Sequence, residues 1–456
     1  MENSASKQSS PLHWSKRGNP VFSKILVANR GEIAIRIIRA CKEMGISTVA
    51  VYSEADAESL HVALADESIC IGGNELVGSY LNAQNLISAA LVTGAQAIHP
   101  GYGFLSENAD FAKLCEKHGI IFIGPPAEII ALAGDKEQSK RVMAEAGVPV
   151  IPGSEILPDA DAALRAAEQI GYPVLVKARS GGGGRGIRLV ETPSAMKKAF
   201  QAAVLEAQSA FGDGAVYLEK YINPAHHVEV QLLADEDGHT VCLGERECSI
   251  QKHNQKLLEE TPSPSVTPEI RQRLFDAGIR AARAVGYVNA GTVEFLMDES
   301  GNFYYMEMNV RLQVEHAITE FVTGIDLAKW QIRIAAGVPL EFRQEDLRFR
   351  GHSIECRINA KASGKVNFLH IPGGPFVRFD TCLWDGYTVP PYYDSMLGKL
   401  VVQAGKREEA IRKMRAALCE LVIDGVPNNI EDQIEIIDDK SFLNGTYNLN
   451  FFKNAR

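Results

Sequence analysis

The chain has 456 residues, of which 46 % are hydrophobic, and a formal net charge of −10. This length predicts about three domains of ordinary size with a large buried core. The acidic balance and the lack of a basic run argue against nucleic-acid binding. No apolar stretch approaches the roughly 18 residues of a transmembrane helix, so we expect no membrane span.

The first 20 residues, MENSASKQSSPLHWSKRGNP, are rich in serine and lack the apolar centre of a secretory signal. We predict a disordered tail, and a transit peptide is the weaker alternative because Glu2 is present and arginine is scarce. The eight cysteines form no CxxC pair, and Cys242 and Cys248 have no familiar zinc spacing. Reduced thiols and a cytoplasmic location are the default expectation.

Residues 21–124 alternate short β-rich runs with amphipathic helices. The predicted strands are KILVAN, STVAVYS, SICIG, AIHP and IIFIG, and the predicted helices are EIAIRIIRACKEMG, YLNAQNLISAALVTGA and FAKLCEKHG. This order predicts a mostly parallel sheet covered on both faces, in a Rossmann-like domain. A single glycine follows the first strand, so the dinucleotide fingerprint is absent and NAD is not implied. Residues 125–150 are predicted to form a helical linker.

A glycine run, KARSGGGGRGIRL, extends from Lys177 to Leu189 and matches neither the Walker A loop nor the GxGxxG fingerprint. Clustered glycine costs conformational entropy unless the backbone must approach a ligand or move. The flanking runs VLVKA and IRLVE predict two strands of a hairpin with a mobile tip. The nearby cations favour a flap that covers phosphate over a hairpin without a ligand. We place it in an α+β flap domain at 151–222.

The triplet Ala195-Met196-Lys197 partly resembles the attachment sequence of biotin carrier domains. Here it follows TPS, which is typical of a helix start, and continues with helical periodicity. We therefore predict a surface lysine on a helix and no biotin attached to this chain.

The stretch GTVEFLMDESGNFYYMEMN, from Gly291 to Asn309, predicts two strands joined by ESGN. A loop of two or four residues centred there places Glu294 opposite Glu307, where like charges about 4.5 to 5.5 Å apart at Cβ are destabilising. A divalent cation would reverse that effect, and Asn309 on the same face adds an oxygen ligand. This donor set suits Mg²⁺ or Mn²⁺ better than zinc. The alternative is that both carboxylates point to water.

The alternation continues through EMNVRLQVEH, in which the polar residues are Glu307, Asn309, Arg311, Gln313 and Glu315. An exposed edge strand would give the same period. On a straight strand, Glu307 and Glu315 would lie roughly 26 Å apart. If all five residues serve one reaction, the chain must bend after about Asn309.

Several motifs together resemble the biotin carboxylase family of ATP-grasp enzymes, as found in acetyl-CoA carboxylase, from Ser23 to Lys453. They are KILVANRGEIAIRIIRACKEMGI, AIHPGYGFLSEN, GGGGRGIR, HVEVQLLAD, ERECSIQ, GTVEFL, EMNVRLQVEH, ECRINA and GYTVPPYYDSMLGKL. The resemblance implies an α/β and α+β multidomain fold, with a Rossmann-like N-terminal domain and an ATP-grasp flap. Residues 223–456 would form a large C-terminal ATP-grasp and biotin carboxylase domain.

The resemblance also implies ATP- and bicarbonate-dependent carboxylation of biotin on a separate protein, through carboxyphosphate. The implied ATP-binding residues are Lys136, Lys177, Gly183, Gly184, Glu219, Lys220, Tyr221, Ile222, His227, Asn254, Glu294 and Glu307. The implied ligands of two Mg²⁺ or Mn²⁺ ions are Glu294, Glu307 and Asn309. The implied bicarbonate site comprises Lys256, Arg311, Gln313, Val314 and Glu315, and the implied biotin site comprises Tyr102 and Arg357.

Within that set, the resemblance gives four residues catalytic roles. Glu315 would be the general base for bicarbonate, and Arg311 would stabilise carboxyphosphate. Arg357 would stabilise the biotin enolate, and Lys256 would hold bicarbonate. The flap would close over a water-sensitive intermediate.

The implied partners are a biotin carboxyl carrier protein, carboxyltransferase subunits and a second copy of the chain. Three departures from the family pattern stand out: Asn254 occupies the place of a histidine, Val310 replaces a commoner threonine, and the loop after Asn359 is shortened. Two alternatives stay open: a component serving urea or another acyl-CoA, and a non-catalytic, carrier-binding relative.

Overall fold

A computed structural model describes residues 22–179 and 186–454. The predicted tail at 1–20 and the predicted phosphate contacts Gly183 and Gly184 lie outside the described residues. The chain divides into two compact units: one of residues 1–148, 226–295 and 307–456, and a second of residues 149–225 and 296–306. The domain boundaries near 124, 150 and 222 stay predictions.

The amino-terminal part of the first unit is built on a parallel sheet, as its alternating sequence predicts. The strand order is β3-β2-β1-β4-β5, and each neighbouring pair is parallel. The strands are β1 (Lys24–Val27), β2 (Ser47–Ser53), β3 (Glu67–Gly72), β4 (Ala97–His99) and β5 (Ile121–Phe122). The helices are α1 (Gly31–Glu43), α2 (Leu60–Leu64), α3 (Ala83–Thr93), α4 (Ala109–Lys117), α5 (Ala127–Gly134) and α6 (Lys136–Glu145).

The second unit is a small sheet backed by two helices. Its elements are α7 (Ala160–Ile170), β6 (Val174–Ala178), β7 (Ile187–Val190), α8 (Pro193–Phe211) and β8 (Val216–Lys220). The strand order is β7-β6-β8, and β6 pairs antiparallel with β7. The two strands predicted beside the glycine run therefore form a hairpin. Lys197 lies exposed on α8, as the helical reading of its triplet predicted.

A long, largely antiparallel sheet carries Glu229, Arg246, Lys256 and Glu294. Its order is β13-β12-β9-β10-β11-β14-β17-β16. The strands are β9 (Ala225–Ala234), β10 (Thr240–Lys252), β11 (Gln255–Thr261), β12 (Asn289–Asp298), β13 (Phe303–Asn309), β14 (His352–Asn359), β16 (Val377–Thr381) and β17 (Met396–Ala404).

The remaining elements cover that sheet and complete the carboxyl-terminal core. They are α9 (Pro268–Ala284), α10 (His316–Thr323), α11 (Leu327–Ala335), β15 (Phe368–His370), α12 (Arg407–Glu420), β18 (Val422–Asp424), α13 (Ile430–Asp438), α14 (Lys440–Asn444) and α15 (Phe451–Asn454). Strands β15 and β18 form a separate antiparallel pair. None of the helices in the described ranges combines the length and apolar character that a bilayer crossing requires.

Helix α9 packs on the long sheet so closely that glycine is required at one position. A Cβ atom on Gly278 would lie 2.6 Å from Val230 Cγ2 and 3.5 Å from Leu232 Cδ2, both on β9. Apolar burial drives this contact, and interiors as dense as crystals leave no room for a methyl group there.

We predict that Gly278→Ala lowers the thermal unfolding midpoint. Overpacking costs about 1–3 kcal/mol, which exceeds the roughly 1 kcal/mol that alanine gains in a helix. The matched control is Gly134→Ala at the end of α5, where a Cβ atom meets nothing within 4 Å. Scanning calorimetry should show a lower midpoint for the first variant and an unchanged or higher one for the second. Equal midpoints would contradict the close packing of α9.

Candidate functional site

A lysine surrounded by three carboxylates forms the centre of the site. Lys256 on β11 donates hydrogen bonds to Glu229 Oε2 at 2.7 Å, Glu294 Oε1 at 3.0 Å and Glu315 Oε1 at 2.7 Å. Burial by itself would lower the pKa of this ammonium, but the charges of the three carboxylates raise it well above its ordinary value. Lys256 is therefore a fixed positive charge.

Three separate segments bring the carboxylates to that lysine. Glu229 is on β9, Glu294 is on the adjacent β12, and Glu315 precedes α10. Burial opposes ionisation of Glu294, but Lys256 and His227 hold its pKa well below its usual range. Burial likewise opposes ionisation of Glu315, and Lys256, Arg357 and Arg246 hold its pKa well below the usual range. Both groups are thus anions at neutral pH.

The chain bends where the sequence argument required it. Strand β13 ends at Asn309, residues 310–315 are irregular, and α10 begins at His316. Leu312 is fully buried in the apolar core. On the other side of the bend, Gln313 Nε2 donates to Glu294 Oε1 at 2.8 Å. The alternating apolar and polar side chains therefore anchor a turning segment on both of its sides and do not continue strand β13.

A fully buried arginine, which the sequence reasoning missed, holds this bend in place. Arg246 on β10 donates to Glu229 Oε1 at 2.5 Å, to Gln313 Oε1 at 2.8 Å and to Thr319 Oγ1 at 3.0 Å. Arg246 and Glu229 are also directly paired in the antiparallel register of β10 and β9. The available signal was a charged residue within each of two β-rich segments, Glu229 in HVEVQLLAD and Arg246 in ERECSIQ.

The predicted biotin residue Arg357 lies at the edge of the same cluster. Its Nε donates to Glu259 Oε1 at 2.7 Å, and a terminal nitrogen donates to Glu315 Oε2 at 2.9 Å. The structure thus joins Arg357 to the predicted base. Glu259, directly bonded to it, is a second residue that the sequence reasoning missed.

Two further predicted bicarbonate residues, Arg311 and Val314, have partners outside the cluster. Arg311 is partly exposed, and its Nε donates to Glu107 Oε2 at 3.0 Å. The Val314 carbonyl accepts a hydrogen bond from Lys399 Nζ at 2.5 Å. Arg311 would have to leave Glu107 in order to hold an anion beside Lys256.

The predicted biotin residue Tyr102 donates a hydrogen bond to the buried carboxylate of Glu32. Burial, followed by the charge of Glu32, raises the pKa of the Tyr102 hydroxyl well above its ordinary value. Lys399 Nζ lies 3.4 Å from Glu32 Oε1 and 6.0 Å from the centre of the Tyr102 ring. Tyr102 is therefore held as a neutral side chain next to a buried ion pair.

The acidic hairpin places Glu294 and Glu307 near each other. Its strands end at Asp298 and begin again at Phe303, which leaves a loop of one of the two predicted lengths. Burial and repulsion from Glu294 both raise the pKa of Glu307. Asn309 Nδ2 donates to Glu294 Oε1 at 2.9 Å, and Lys136 Nζ lies 3.8 Å from Glu307 Oε2.

The donor set of this hairpin fits a hard divalent cation. Two carboxylates that repel each other, with an amide beside them, offer the oxygen ligands that Mg²⁺ takes. Asn309 turns its oxygen toward Arg311 at 3.0 Å, and a rotation of the amide would present that oxygen to a metal. Among the described residues, the compact clusters of histidine, cysteine and acidic side chains that could hold a metal include Glu294 but not Glu307. Those clusters comprise His227, Glu229 and Glu294, and Glu229, Cys248 and Glu315. In those two clusters, the carboxylates of Glu229, Glu294 and Glu315 already pair with the ammonium group of Lys256.

Two predicted nucleotide contacts differ sharply in their surroundings. His227 is buried, and its Nε2 lies 3.1 Å from Glu294 Oε2, while Gln251 Nε2 lies 2.8 Å from its Nδ1. Asn254 is exposed in the two-residue turn between β10 and β11, where His253 and Asn254 have φ of 53° and 63°. Such a turn favours asparagine, so the backbone conformation by itself explains why asparagine occupies position 254.

The predicted ATP residues of the second unit make contacts inside that unit. Lys177 Nζ donates to Glu219 Oε2 at 2.6 Å. Lys220 Nζ donates to the Gly171 and Tyr172 carbonyls at 2.9 Å each. The backbone N–H of Lys220 donates to the carbonyl of Pro152. The Tyr221 N–H donates to Pro173, and Ile222 follows the end of β8. Lys220 thus braces the sheet of this unit.

The shortened loop after Asn359 is tied to the residue before β17 and to the segment that precedes α13. The Ala360 N–H donates to the Ser395 carbonyl at 2.7 Å, and the Lys361 N–H donates to the Pro427 carbonyl at 2.7 Å. A Cβ atom on Gly364 would lie 2.4 Å from the Gly425 carbonyl oxygen, so the two backbones touch. The short loop is therefore an ordered connection.

Sequence profiles of three domains match successive parts of the chain. The biotin carboxylase N-terminal domain matches residues 21–130, and the ATP-binding domain of the carbamoyl-phosphate synthase L chain matches residues 135–343. The biotin carboxylase C-terminal domain matches residues 355–454. Together these matches cover most of the chain in the order expected from the resemblance.

Whole proteins match over nearly their full length. Biotin carboxylase 1 of Bacillus subtilis is 49 % identical, over 95 % of this chain and 98 % of the relative. A crystal structure of a biotin carboxylase complex with β,γ-ATP from Campylobacter jejuni has a TM-score of 0.89 and 48 % identity, covering 95 % and 98 %. The biotin carboxylase domain dimer of Hydrogenobacter thermophilus 2-oxoglutarate carboxylase, with MgADP, ADP and bicarbonate, has a TM-score of 0.88 and 50 % identity, covering 95 % and 97 %.

We predict that Lys256→Gln destabilises the protein markedly. Removing one partner of a buried ion cluster leaves uncompensated charge, which costs about 3–5 kcal/mol. The control is Lys252→Gln, an exposed lysine on the neighbouring β10. The thermal midpoint should fall by several degrees in the first variant and stay unchanged in the second. An unchanged midpoint for Lys256→Gln would contradict the central role of this ammonium.

Proposed function

Because the chain belongs to the biotin carboxylase family of ATP-dependent ligases, we propose that it performs the first half-reaction of an acetyl-CoA carboxylase. In that reaction a carrier-bound biotin is carboxylated with ATP, Mg²⁺ and bicarbonate. The B. subtilis relative carries the name biotin carboxylase 1 and is covered to 98 % by this chain, which supports the carboxylation of biotin as its activity. The observation that carries the proposal is the bend after Asn309, which joins Glu315 and Gln313 to Lys256, Glu294 and Arg357.

The proposed site residues act in two steps. In the first, a bicarbonate oxygen attacks the γ-phosphorus of ATP, the bond to ADP breaks, and Glu315 accepts the bicarbonate proton. Lys256 exchanges one of its carboxylate partners for the bicarbonate anion, and Arg311 stabilises the charge that develops on carboxyphosphate. In the second step, the bond between the carboxyl carbon and the phosphate of carboxyphosphate breaks, and the released phosphate takes the proton of the biotin ureido N–H. Arg357 stabilises the resulting enolate of biotin while the carboxyl carbon bonds to the ureido nitrogen.

The remaining residues bind and orient the nucleotide. When bound to Glu294, Glu307 and Asn309, two Mg²⁺ ions would offset the charge of the transferring phosphate. Lys136, Lys177 and His227 are proposed as phosphate contacts, together with Gly183, Gly184 and Asn254. Glu219, Lys220, Tyr221 and Ile222 are proposed to read the adenine ring, and Tyr102 to line the biotin pocket.

The proposed partners are the biotin carboxyl carrier protein, carboxyltransferase subunits and a second copy of the chain. The dimer proposal is supported by the H. thermophilus domain dimer. It is also supported by Phe376, whose side chain is 62 % exposed on the wall of an 850 Å³ cavity. A cytoplasmic location is supported by all eight cysteines being free thiols in the described part of the chain.

A second candidate, the carboxylase component for another acceptor, is favoured by the similarity to 2-oxoglutarate carboxylase. The carboxylase half-reaction never contacts the acceptor, so the site residues are the same in both cases. Assays with the cognate carrier and transferase, comparing acetyl-CoA with 2-oxoglutarate, separate the two.

We expect the purified protein with Mg²⁺ to release ADP from ATP only when bicarbonate is present, and free biotin to increase that rate. The reason is that bicarbonate is the phosphoryl acceptor and biotin consumes carboxyphosphate. A coupled ADP assay measures both effects. Folded protein that releases no ADP under any of these conditions would favour the non-catalytic alternative.

We predict that Glu307→Gln lowers Mg²⁺-dependent turnover by about two to three orders of magnitude, because a metal ligand is lost. Glu299→Gln, in the exposed hairpin loop, is the control and should keep the wild-type rate. Turnover is measured across a Mg²⁺ titration, with the thermal midpoint recorded for each variant. A wild-type rate in folded Glu307→Gln would refute the metal assignment.

We predict that sedimentation equilibrium gives twice the 49.8 kDa chain mass. Phe376→Asp, which places a charge on the exposed apolar surface, should shift the equilibrium toward the single chain. A wild-type mass of one chain at micromolar concentration would contradict the dimer.

A further inference from the structure

Two buried glutamates face each other behind Arg357. The antiparallel register of β11 and β14 places Glu259 directly opposite Glu355, and both side chains are fully buried. Opposed residues on antiparallel strands have Cβ atoms about 4.5 to 5.5 Å apart, and two carboxylates at that spacing repel each other. The pair therefore needs a cation or a proton between its members.

The two carboxyl groups are unequally bonded. Glu259 Oε1 lies 2.7 Å from Arg357 Nε and 2.6 Å from a terminal nitrogen of the same guanidinium. Within residues 22–179 and 186–454, no hydrogen-bond donor reaches Glu259 Oε2 or either oxygen of Glu355. Because a buried carboxylate without a donor is strongly disfavoured, one member of the pair is held neutral.

The neighbouring charges favour Glu355 as the neutral member. The charged groups that face it are Lys399 on β17, Glu259 on β11, Arg357 on its own strand and Glu315 ahead of α10. Burial raises the pKa of Glu355 well above that of an ordinary carboxyl. The anions Glu259 and Glu315 raise this pKa further, whereas the cations Lys399 and Arg357 lower it. Burial raises the pKa of Glu259 only to about 7, because Arg357 bonds to it directly.

We propose that Glu355 carries a proton and donates it in a hydrogen bond to Glu259 Oε2, which keeps Glu259 Oε1 on Arg357. The guanidinium is then fixed between Glu259 and Glu315, to which it donates at 2.9 Å. An ionised Glu355 would compete for Arg357 and repel Glu259. Glu355 is thus a positioning residue that acts through Glu259, and its effect on catalysis rests on the proposed role of Arg357 at biotin.

Two substitutions of Glu355 separate its hydrogen bond from its charge. Glu355→Gln keeps an N–H donor of the same shape, whereas Glu355→Leu removes the donor. Biotin-stimulated turnover should stay within about threefold of wild type in the glutamine variant, and kcat should fall about 10- to 100-fold in the leucine variant. Biotin-independent ATP hydrolysis should stay within about threefold in both variants. An equal loss of stimulated turnover in both variants, or no loss in Glu355→Leu, would overturn the proposal.

An infrared measurement detects the proton on Glu355 directly, so its result does not depend on the proposed role of Arg357 at biotin. Wild-type protein and the exposed control Glu345→Gln should show the C=O stretch of a buried protonated carboxyl that Glu355→Gln lacks. If that band persists in Glu355→Gln, the proton lies elsewhere and the proposal fails. If the band behaves as expected but Arg357→Gln keeps full biotin stimulation, the proposed role of Arg357 fails and the shared proton stands. Thermal midpoints of all variants show which of them are folded.

Discussion

The placement of a single ammonium group among three buried carboxylates organises the candidate site. Removing so many charges from water is costly, and the cost is offset only when each charge has a close partner of opposite sign. Lys256 therefore requires Glu229, Glu294 and Glu315 to meet, although they lie on three separate segments. The order of the long sheet and the bend after Asn309 both satisfy that requirement.

The alternating pattern was sufficient to predict the parallel sheet, the hairpin beside the glycine run and the bend. The sheet and the hairpin follow from the local periodicity of apolar residues. The bend follows because a straight strand would hold Glu307 and Glu315 too far apart to serve one site. Arg246 and Glu259 were missed because their roles depend on the register between strands distant in sequence, which a single sequence does not reveal. Asn254 shows the converse: a departure from the family pattern has a local backbone reason in its left-handed turn.

The same cluster joins the two proposed halves of the reaction. Glu315 accepts from Lys256 through one oxygen and from Arg357 through the other, so the proposed biotin residue is bonded directly to the proposed bicarbonate base. A change of charge at Glu315 when it takes a proton would weaken both bonds together. With the proposed roles, proton transfer from bicarbonate to Glu315 would free Lys256 and Arg357 to hold the anions that follow.

The most direct test of this account is a crystal structure with ADP, Mg²⁺ and bicarbonate. The account predicts bicarbonate bound to Lys256 and Arg311, with Arg311 moved away from Glu107 and Glu315 within hydrogen-bonding distance of the anion. Bicarbonate bound elsewhere, with Lys256 still bonded to all three carboxylates, would contradict it.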